Sequence, residues 1–381
     1  MAPKNVMYKK TSKDKTVGVY MAKRDFVDHV GEVDPVDGVI LVDPALLEGK
    51  KVFVALTCVF RYGHNDGVDV LGIQFKREIY TRTIQAYPPL LDKEQSIHNP
   101  MQEKMVKKLG EHAYPFFFEF PDNLPCSVSM QPGAKDPGKI CAVEFEVRAF
   151  SAEAQDAKVK KRSTVSLMLR KMQYAPESGA PAPTAKTDKP LELEASLGKE
   201  TYYHGEPISV SVQLKNTSGK TVKNVVVSVQ QISNVVLFSN DNYSMEVATE
   251  DTGDSVQAGE SLNKTYSILA TLANNKDRKG IALDGKLKHQ DTNLASTSII
   301  KEGVLKEVLG IMVSYKVIVK CIIAGMLTNS ECTVELPFTL MHAKPEASDL
   351  EGEIVIEEFK RSNLKGMEDE EDGNQSAGEG T

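Results

Sequence analysis

The sequence predicts an all-β protein made of two β-sandwich domains in tandem, with one short amphipathic helix. Apolar and polar residues alternate through many short segments, as with Val143, Phe145 and Val147 in VEFEVRAF, and this is the period of a strand with one buried face. Clusters of turn-forming residues such as VDPVDG and MQPGAKDPGK interrupt these segments, which is typical of sandwiches. The length of 381 residues and the hydrophobic content of 41% suit two globular domains.

Composition divides the chain into four parts. Residues 174–190, YAPESGAPAPTAKTDKP, are rich in Pro and Ala and predict a hinge between an N-terminal sandwich, 1–173, and a C-terminal sandwich, 191–344. Residues 345–381 carry twelve acidic and three basic side chains, a charge of −9, so the rest of the −7 chain carries about +2. This acidic tail is expected to be partly disordered and attracted to the body of the protein.

One segment of the N-terminal domain has helical periodicity. In HNPMQEKMVKKLGEH, Met101, Met105 and Leu109 follow at intervals of four and fall on one face. Asn99 is a good N-cap before the proline of the first turn, and Gly110 is a good terminator. We therefore expect a helix of about ten residues lying against a sheet.

The cysteines and the apolar runs indicate a cytoplasmic protein. The five cysteines are odd in number, lack CxxC spacing and sit beside apolar residues, so we expect buried free thiols in a reducing compartment. The N-terminus has no secretory apolar segment, and the longest uncharged apolar run, CIIAGML, is far too short to span a membrane.

No catalytic or metal-binding motif is present. HExxH, Walker, GxGxxG and GxSxG patterns are absent and the histidines lack ligand spacing, so we expect no enzyme, no cofactor, no metal and no nucleic-acid partner. The polar loop GIALDGKLKHQDTNLAS carries Asp284 and Asp291. A general acid–base pair, a calcium loop and a solvated turn are possible interpretations, but Lys286 and Lys288 stand where calcium ligands would be. We favour an electrostatic latch.

Two further charged stretches have alternative interpretations. The segment STVSLMLRKMQY is apolar on both faces, which predicts a buried strand in which Arg170 needs carboxylate partners. From the pattern alone, an exposed arginine at a strand edge is also possible. In AKRDFVDHV, Lys23 and Arg24 taken singly indicate a solvated charge run.

Long segments of the chain resemble arrestins. VGVYMAKRDFVDHVGEVDPVDGVILVDP, YPFFFEFPDNLPCSVSMQPG, RKGIALDGKLKHQDTNLASTSIIKEG and EIVIEEFKRSNLK are similar to arrestin segments in arrestin order, and the resemblance covers about residues 4–366. The acidic tail, the retained IVIEEFKR and the absence of a clathrin-type box resemble the visual branch. Within that branch, the short linker and the amino-acid sequence of the tail most resemble the cone type.

The resemblance implies two arrestin-type sandwiches that form a regulator of photoreceptors. Such a protein binds active, phosphorylated opsin, a G-protein-coupled receptor, and blocks G-protein coupling, moving from the cytoplasm to the membrane-bound receptor with transient membrane contact. Binding of clathrin and its adaptors is expected to be weak or absent, and a non-visual trafficking adaptor linking receptors to endocytic coats is the alternative.

The resemblance also implies five groups of site residues. The polar core falls on Asp25, Arg170, Asp284, Asp291 and Arg361. The phosphate-binding residues are Lys9, Lys10, Arg24, Lys107, Lys160, Lys161, Lys286 and Lys288. The three-element contact joins Val6, Met7, Tyr8, Met101, Met105, Leu109, Ile354, Ile356 and Phe359. The receptor finger loop holds Tyr62, Gly63, Asp66, Gly67, Val68, Asp69, Val70 and Leu71. The membrane-edge loop holds Ile323, Met326 and Leu327, for which a buried strand ending in a Gly turn is the alternative.

The implied mechanism is a phosphate-released latch. Phosphate reaching Lys9 and Lys10 would compete with the acidic tail for the first strand. It would then approach Arg170 and break the expected pairing of this arginine to Asp284 and Asp291. Removing one partner of a buried ion pair costs about 3–5 kcal/mol, so tail release and domain rotation would follow.

Overall fold

The computed structural model describes residues 5–29, 32–64, 75–90, 92–121, 123–131, 139–174, 180–187, 191–237, 239–285, 292–300, 303, 305–325, 330–344 and 354–358. The first ten strands are β1 (Asn5–Thr11), β2 (Val17–Met21), β3 (Asp25–Asp28), β4 (Val36–Val42), β5 (Lys51–His64), β6 (Phe75–Tyr87), β7 (Ala113–Phe118), β8 (Val128–Met130), β9 (Lys139–Ala152) and β10 (Thr164–Gln173). The α-helix α1 spans Pro100–Leu109, and short 3-10 helices span Lys93–Gln95 and Lys161–Ser163.

The second half of the chain is also built from strands. They are β11 (Thr184–Lys186), β12 (Leu191–Leu197), β13 (Thr201–Tyr203), β14 (Ile208–Asn216), β15 (Val222–Val235), β16 (Asn242–Asp251), β17 (Ser261–Ile268), β18 (Ala282–Asp284), β19 (Ile311–Ile323), β20 (Ser330–Met341) and β21 (Ile354–Glu358). Two 3-10 helices span Ala273–Asn275 and Lys306–Leu309. The prediction of an all-β protein with a short helix is confirmed.

The strands form two pairs of packed sheets. In the N-terminal half, the sheet β21-β1-β2-β4-β7 faces the sheet β18-β8-β9-β10-β3, to which β5 and β6 are added through β9, and β2 packs on both β9 and β10. In the C-terminal half, β11-β12-β14-β17 faces β13-β20-β19-β15-β16. Most of the buried apolar side chains that the structure describes in both halves belong to one continuous cluster, and smaller clusters lie beside it.

Alternation of side chains correctly predicted the faces of these strands. In β14, Ile208, Val210, Val212 and Leu214 are buried while the residues between them are exposed. In β9, the buried Phe145 and the exposed Arg148 lie on opposite faces. A strand buried on one face has this period because successive side chains point to opposite sides of the sheet.

Two late segments of the chain complete sheets of the N-terminal half. β18 pairs antiparallel with β8, so that Asp284 lies opposite Val128. β21, from the acidic tail, pairs parallel with β1, so that Ile356 lies opposite Met7. These pairings bring the candidate site together, because they carry residues of the polar loop and the tail onto the first domain.

The helix has the predicted bounds and caps. The Oδ1 atom of Asn99 accepts a hydrogen bond of 2.8 Å from the backbone N–H of Gln102, and Gly110 ends the helix at φ 90°, a left-handed value that favours glycine. The buried Gln102 also donates from Nε2 to the carbonyl oxygens of Gly38 and Phe116 at 2.8 and 2.9 Å. The apolar pattern did not identify this polar anchor between helix and sheet.

The predicted hinge contains a short strand, and not all of the cysteines expected to be buried are buried. The range 174–190 contains β11, which pairs with β12; the boundaries between the four parts of the chain stay a prediction. All five cysteines are free thiols, but only Cys58, Cys141 and Cys321 are buried, whereas Cys126 and Cys332 are partly exposed. None of the helices that the structure describes is long and apolar enough to cross a membrane.

Candidate functional site

The first part of the site is an arginine–aspartate pair across two parallel strands. β10 pairs with β3 in a register that sets Arg170 opposite Asp25. The guanidinium donates from Nε to Oδ1 at 2.7 Å and from Nη2 to Oδ2 at 2.9 Å, a bidentate arrangement of the strong, charge-assisted kind. The Arg170 side chain is 8% exposed, but that of Asp25 is 43% exposed. The buried interpretation of Arg170 is therefore right, whereas its partner Asp25, assigned to the polar core, is only partly buried.

A second ion pair joins the same two strands. The Nζ atom of Lys171 donates to Oδ2 of Asp28 at 2.9 Å and to the carbonyl oxygen of Leu124 at 3.2 Å. The two charged side chains are 1% and 3% exposed. Burial opposes the charge on Lys171, but the nearby Cys126 and Asp28 outweigh it and raise the pKa of the lysine. Sequence reasoning missed this pair, because alternation along β10 does not show which aspartate meets the lysine.

The third part of the site is the carboxylate of Asp284 at the end of β18. Its Oδ1 atom accepts a hydrogen bond of 2.9 Å from the backbone N–H of Ser296. Its Oδ2 atom lies 2.5 Å from Nε2 of His342 and 3.8 Å from Nε2 of His204. Burial alone would raise the pKa of Asp284, but the hydrogen bond and charge of His342, with the other partners, hold that pKa below its usual value.

The partners of Asp284 correct an expectation from the sequence. We expected this carboxylate to pair with Arg170; instead it contacts two imidazoles and a serine. The arginine lies close by, since a Cβ atom at Gly285 would be 3.6 Å from Cγ of Arg170. That Cβ would also be 2.5 Å from Cβ of Ser127, so only glycine permits the backbone to approach β8 here. The histidines were missed because they are far from Asp284 in the sequence.

The acidic tail and the helix meet the first strand from two directions. The register of β21 on β1 sets Glu358 opposite Lys9. Met7, on β1, is 1% exposed and shares a buried cluster with Met105 of the helix, against which Leu109 also packs. Three residues of the predicted three-element contact, Met7, Met105 and Leu109, are thus brought together. Tyr8 faces the main core, and Met101 is partly exposed.

The predicted phosphate-binding residues have different surroundings. Lys9 and Lys10 are partly exposed on β1, and Nζ of Lys9 lies 5.9 Å from the ring centroid of Tyr20. Lys160 and Lys161 are exposed just before β10. The exposed Lys107 is bound to Glu103 on the helix at 2.8 Å.

Arg24 corrects the interpretation of a solvated charge run. It is 9% exposed, and its guanidinium carbon lies 4.3 Å from the ring centroid of Tyr8. A cation stacked on an aromatic ring and shielded from water is stabilised by the ring's negative face. This arginine therefore packs against β1 through Tyr8 and also adds positive charge near that strand.

A further contact joins the two halves near the start of the predicted finger loop. The Oδ2 atom of Asp241, between β15 and β16, accepts a hydrogen bond of 2.6 Å from the hydroxyl of Tyr62. It also accepts one of 2.8 Å from Nζ of Lys139. Lys139 stacks on Tyr62 with 4.4 Å between Nζ and the ring centroid. Sequence reasoning did not identify this clamp.

Several predicted site residues lie outside what the structure describes. They are Asp291, Arg361, Lys286, Lys288, Phe359, Asp66, Gly67, Val68, Asp69, Val70, Leu71, Met326 and Leu327. For Val6, Ile354 and Ile356 only the strand positions are described, and not the side chains. Gly63 is buried at the end of β5, and Ile323 is the partly exposed last residue of β19.

Comparison with known proteins decides the family. Residues 17–175 match the family described as arrestin (or S-antigen), N-terminal domain, and residues 187–345 match its C-terminal domain. S-arrestin of Xenopus laevis is 51% identical over 97% of this chain and 98% of its own length. The chain belongs to the arrestin family. Human S-arrestin is 49% identical to this arrestin over 97% of the chain and 95% of its own length, and S-arrestin of Mus musculus is 50% identical over 95% and 93%.

Proposed function

We propose that this arrestin binds light-activated, phosphorylated photoreceptor opsin, a G-protein-coupled receptor, and blocks its coupling to the G protein. The observation that carries the proposal is the position of β21 along the open edge of β1, with Glu358 opposite Lys9. The acidic tail therefore pairs along the edge of the strand that bears Lys9 and Lys10. A phosphorylated receptor segment carries close to two negative charges per phosphate, and it would compete with the tail for the same lysines.

The polar core is the proposed second stage of the switch. The Arg170 guanidinium binds a carboxylate in the bidentate manner that also suits a phosphate. Asp25 is half exposed but the Arg170 side chain is only 8% exposed, so an incoming anion would have to displace Asp25 to bind the guanidinium. Asp284, Asp291 and Arg361 complete the proposed core. Neutralising Arg170 would free Asp25 and weaken the attachment of β3, β10 and the tail to one another.

Receptor engagement is proposed to need both phosphate and the active receptor conformation. The finger loop, from Tyr62 to Leu71, is proposed to enter the receptor once the domains rotate. The hydrogen bond from Tyr62 to Asp241 would hold the start of that loop until then. Ile323, Met326 and Leu327 are proposed to touch the membrane transiently beside the receptor. This is a binding function without a catalytic step.

The subtype and location follow from the resemblance within the visual branch. Identity of about half to the S-arrestins over nearly the whole chain suits a sister subtype, and the short linker and tail favour the cone type. The protein would reside in the cytoplasm of a photoreceptor cell and move to membrane-bound receptor on activation. The second candidate, a non-visual trafficking adaptor for endocytic coats, is disfavoured because the tail lacks a clathrin-type box.

A pull-down with light-activated pigment, phosphorylated and unphosphorylated, tests the proposal. The parent is expected to bind only the phosphorylated pigment, whereas Arg170→Glu should bind both forms. Arg148→Glu is a matched control, because Arg148 is an exposed arginine on the neighbouring strand β9, and it should behave like the parent. If Arg170→Glu keeps the parent's dependence on phosphorylation, the switch is refuted. If the parent binds neither pigment but its tail captures clathrin, the adaptor function replaces the proposal.

A further inference from the structure

His204, Asp284 and His342 form a compact group of potential metal ligands at the junction of the two domains. His204 directly follows β13, Asp284 ends β18, and His342 directly follows β20. One potential ligand atom from each of the three side chains lies within 4.8 Å of the other two. The sequence predicted no metal, because the three residues are widely separated along the chain and only the fold brings them together.

The distances suit a tetrahedral zinc site after small movements. Zinc binds imidazole nitrogen and carboxylate oxygen at about 2.0–2.2 Å, so neighbouring ligand atoms lie about 3.3 Å apart. In the structure, Oδ2 of Asp284 is 2.5 Å from Nε2 of His342 and 3.8 Å from Nε2 of His204. The distance to His342 must lengthen and the distance to His204 must shorten, each by less than about 1 Å. The metal would replace the contact that now joins His342 to Asp284.

The surroundings hold the ligands in place and leave room for a fourth. The N–H of Ser296 donates to Oδ1 of Asp284, which leaves Oδ2 aimed at the histidines; such outer contacts orient ligands in metal sites. Oγ of Ser296 lies 3.0 Å from Nε2 of His204 and 3.3 Å from Oδ2 of Asp284. Asp284 and Ser296 also line an internal cleft shared with Asp28 and Lys171. The serine hydroxyl or a water in that cleft can supply the fourth ligand.

The charge balance favours a cation at this place. The carboxylate of Asp284 is 5% exposed, and its pKa is held below the usual value. Its Oδ2 atom faces the imidazoles of His342 and His204. An ion with two charges, bound by one carboxylate and two neutral imidazoles, leaves a single net positive charge. Two imidazoles with one carboxylate are a ligand set that zinc accepts well.

We propose that His204, Asp284 and His342 bind one zinc ion, which ties β18 to the ends of β13 and β20. β18 is paired with β8 of the first domain, and His342 forms a backbone bridge with Tyr174, the residue directly after β10. Bound zinc therefore stabilises the arrangement of the two domains seen in this structure. Receptor binding plays no part in this inference.

Competition between the full chain, stripped of metal, and a chromophoric zinc chelator tests the site. The parent is expected to bind one zinc ion more than His204→Gln or His342→Gln, or to bind it at least tenfold more tightly. His112→Gln is a matched control, because His112 is 47% exposed on the surface, and it should bind like the parent. Equal stoichiometry and affinity in parent and in both site variants would overturn the proposal.

Cobalt(II) provides a second measurement on the unaltered chain, in case the variants fold poorly. A tetrahedral site of nitrogen and oxygen ligands gives intense visible bands without the sulfur charge-transfer absorption of a cysteine site. Paramagnetically shifted ring N–H protons from two histidines are also expected in the proton NMR spectrum. Sulfur charge-transfer absorption, or a spectrum without shifted histidine protons, would place the metal elsewhere and reject the site.

Discussion

The ammonium group of Lys171 lies 2.9 Å from Oδ2 of Asp28, and the two side chains are 1% and 3% exposed. The neighbouring Arg170 binds Asp25 on the same strand β3. Two consecutive cations of β10 thus pair with two aspartates of β3, one pair enclosed and the other half open. The enclosed pair is suited to holding β3 on β10, whereas in the other pair only the carboxylate of Asp25 is exposed and the Arg170 side chain is covered.

Replacing Lys171 by Met should strongly destabilise the first domain. Asp28 would stay buried but lose the ammonium group of Lys171, and breaking a buried ion pair in this way costs about 3–5 kcal/mol. The free energy of unfolding from urea titration measures the loss. Adding Asp28→Asn should recover a large part of it, because the buried charge is then gone.

Lys23→Met is the control for this loss. Lys23 pairs with Asp34 at 2.8 Å, but its side chain is 42% exposed, and exposed pairs contribute about 0–1 kcal/mol. A similar loss for Lys23→Met and Lys171→Met would show that burial of the second pair does not govern its effect.

Asp241→Asn should loosen the contact between the two halves. The variant lacks the charge that Lys139 binds at 2.8 Å and weakens the bond from Tyr62. The expected cost is about 1 kcal/mol of unfolding free energy, since Asp241 is 37% exposed. Distance measurements between spin labels on the two domains should show a broader distribution than in the parent.

Asp254→Asn is a matched control for this effect. Asp254 accepts hydrogen bonds from Lys264 and Tyr266 at 2.7 and 2.8 Å, so it repeats the same chemistry within one domain. Its loss should reduce stability by a similar amount and leave the interdomain distances unchanged. A parental distance distribution for Asp241→Asn would contradict the role assigned to the clamp.

Removing residues 345–381 should expose the outer edge of β1. The truncated chain lacks β21, which pairs with β1 from Asn5 to Lys9. Backbone amides of β1 that point toward β21 should then exchange with deuterium faster, while those that point toward β2 keep their protection. Mass spectrometry of peptides covering β1 measures the difference. A shorter truncation of residues 366–381 retains β21 and should exchange like the parent; equal exchange in the two truncated chains would argue against the pairing.

Stability should fall in mildly acidic solution because of His204. Burial is the main cause that lowers the pKa of His204 from 6.5 to about 4, with the attraction of Asp284 opposing it. In the unfolded chain this histidine takes up a proton below about pH 6.5, while the folded chain resists protonation down to about pH 4. The free energy of unfolding should therefore decrease as the pH falls through this window, by about 2 kcal/mol at pH 5.

Urea titrations in metal-chelating buffer at pH 7 and pH 5 measure this dependence. His204→Gln should lack most of it, whereas His112→Gln, with its exposed ring, should keep it. The pKa of Asp284 in the folded chain is below its usual value of 3.8. Protonation of this carboxylate therefore lowers the free energy of unfolding further only below about pH 3.8. An unchanged pH dependence in His204→Gln would show that another group is responsible.

The sequence by itself determined the features that depend on near neighbours along the chain. Alternation in β14 predicted which side chains are buried, and Asn99 and Gly110 predicted both ends of the helix. These succeed because strand period and helix capping act over a few residues. The family resemblance added Arg170, Asp284 and the tail as members of one site.

Only the tertiary structure decided which charged groups meet. The pairing of β10 with β3 sets Lys171 on Asp28, and the pairing of β18 with β8 delivers Asp284 to two histidines rather than to Arg170. Burial of Arg24 against Tyr8 was decided in the same way. Charge–charge contacts depend on strand register between segments far apart in sequence, and a one-residue slip would exchange every partner.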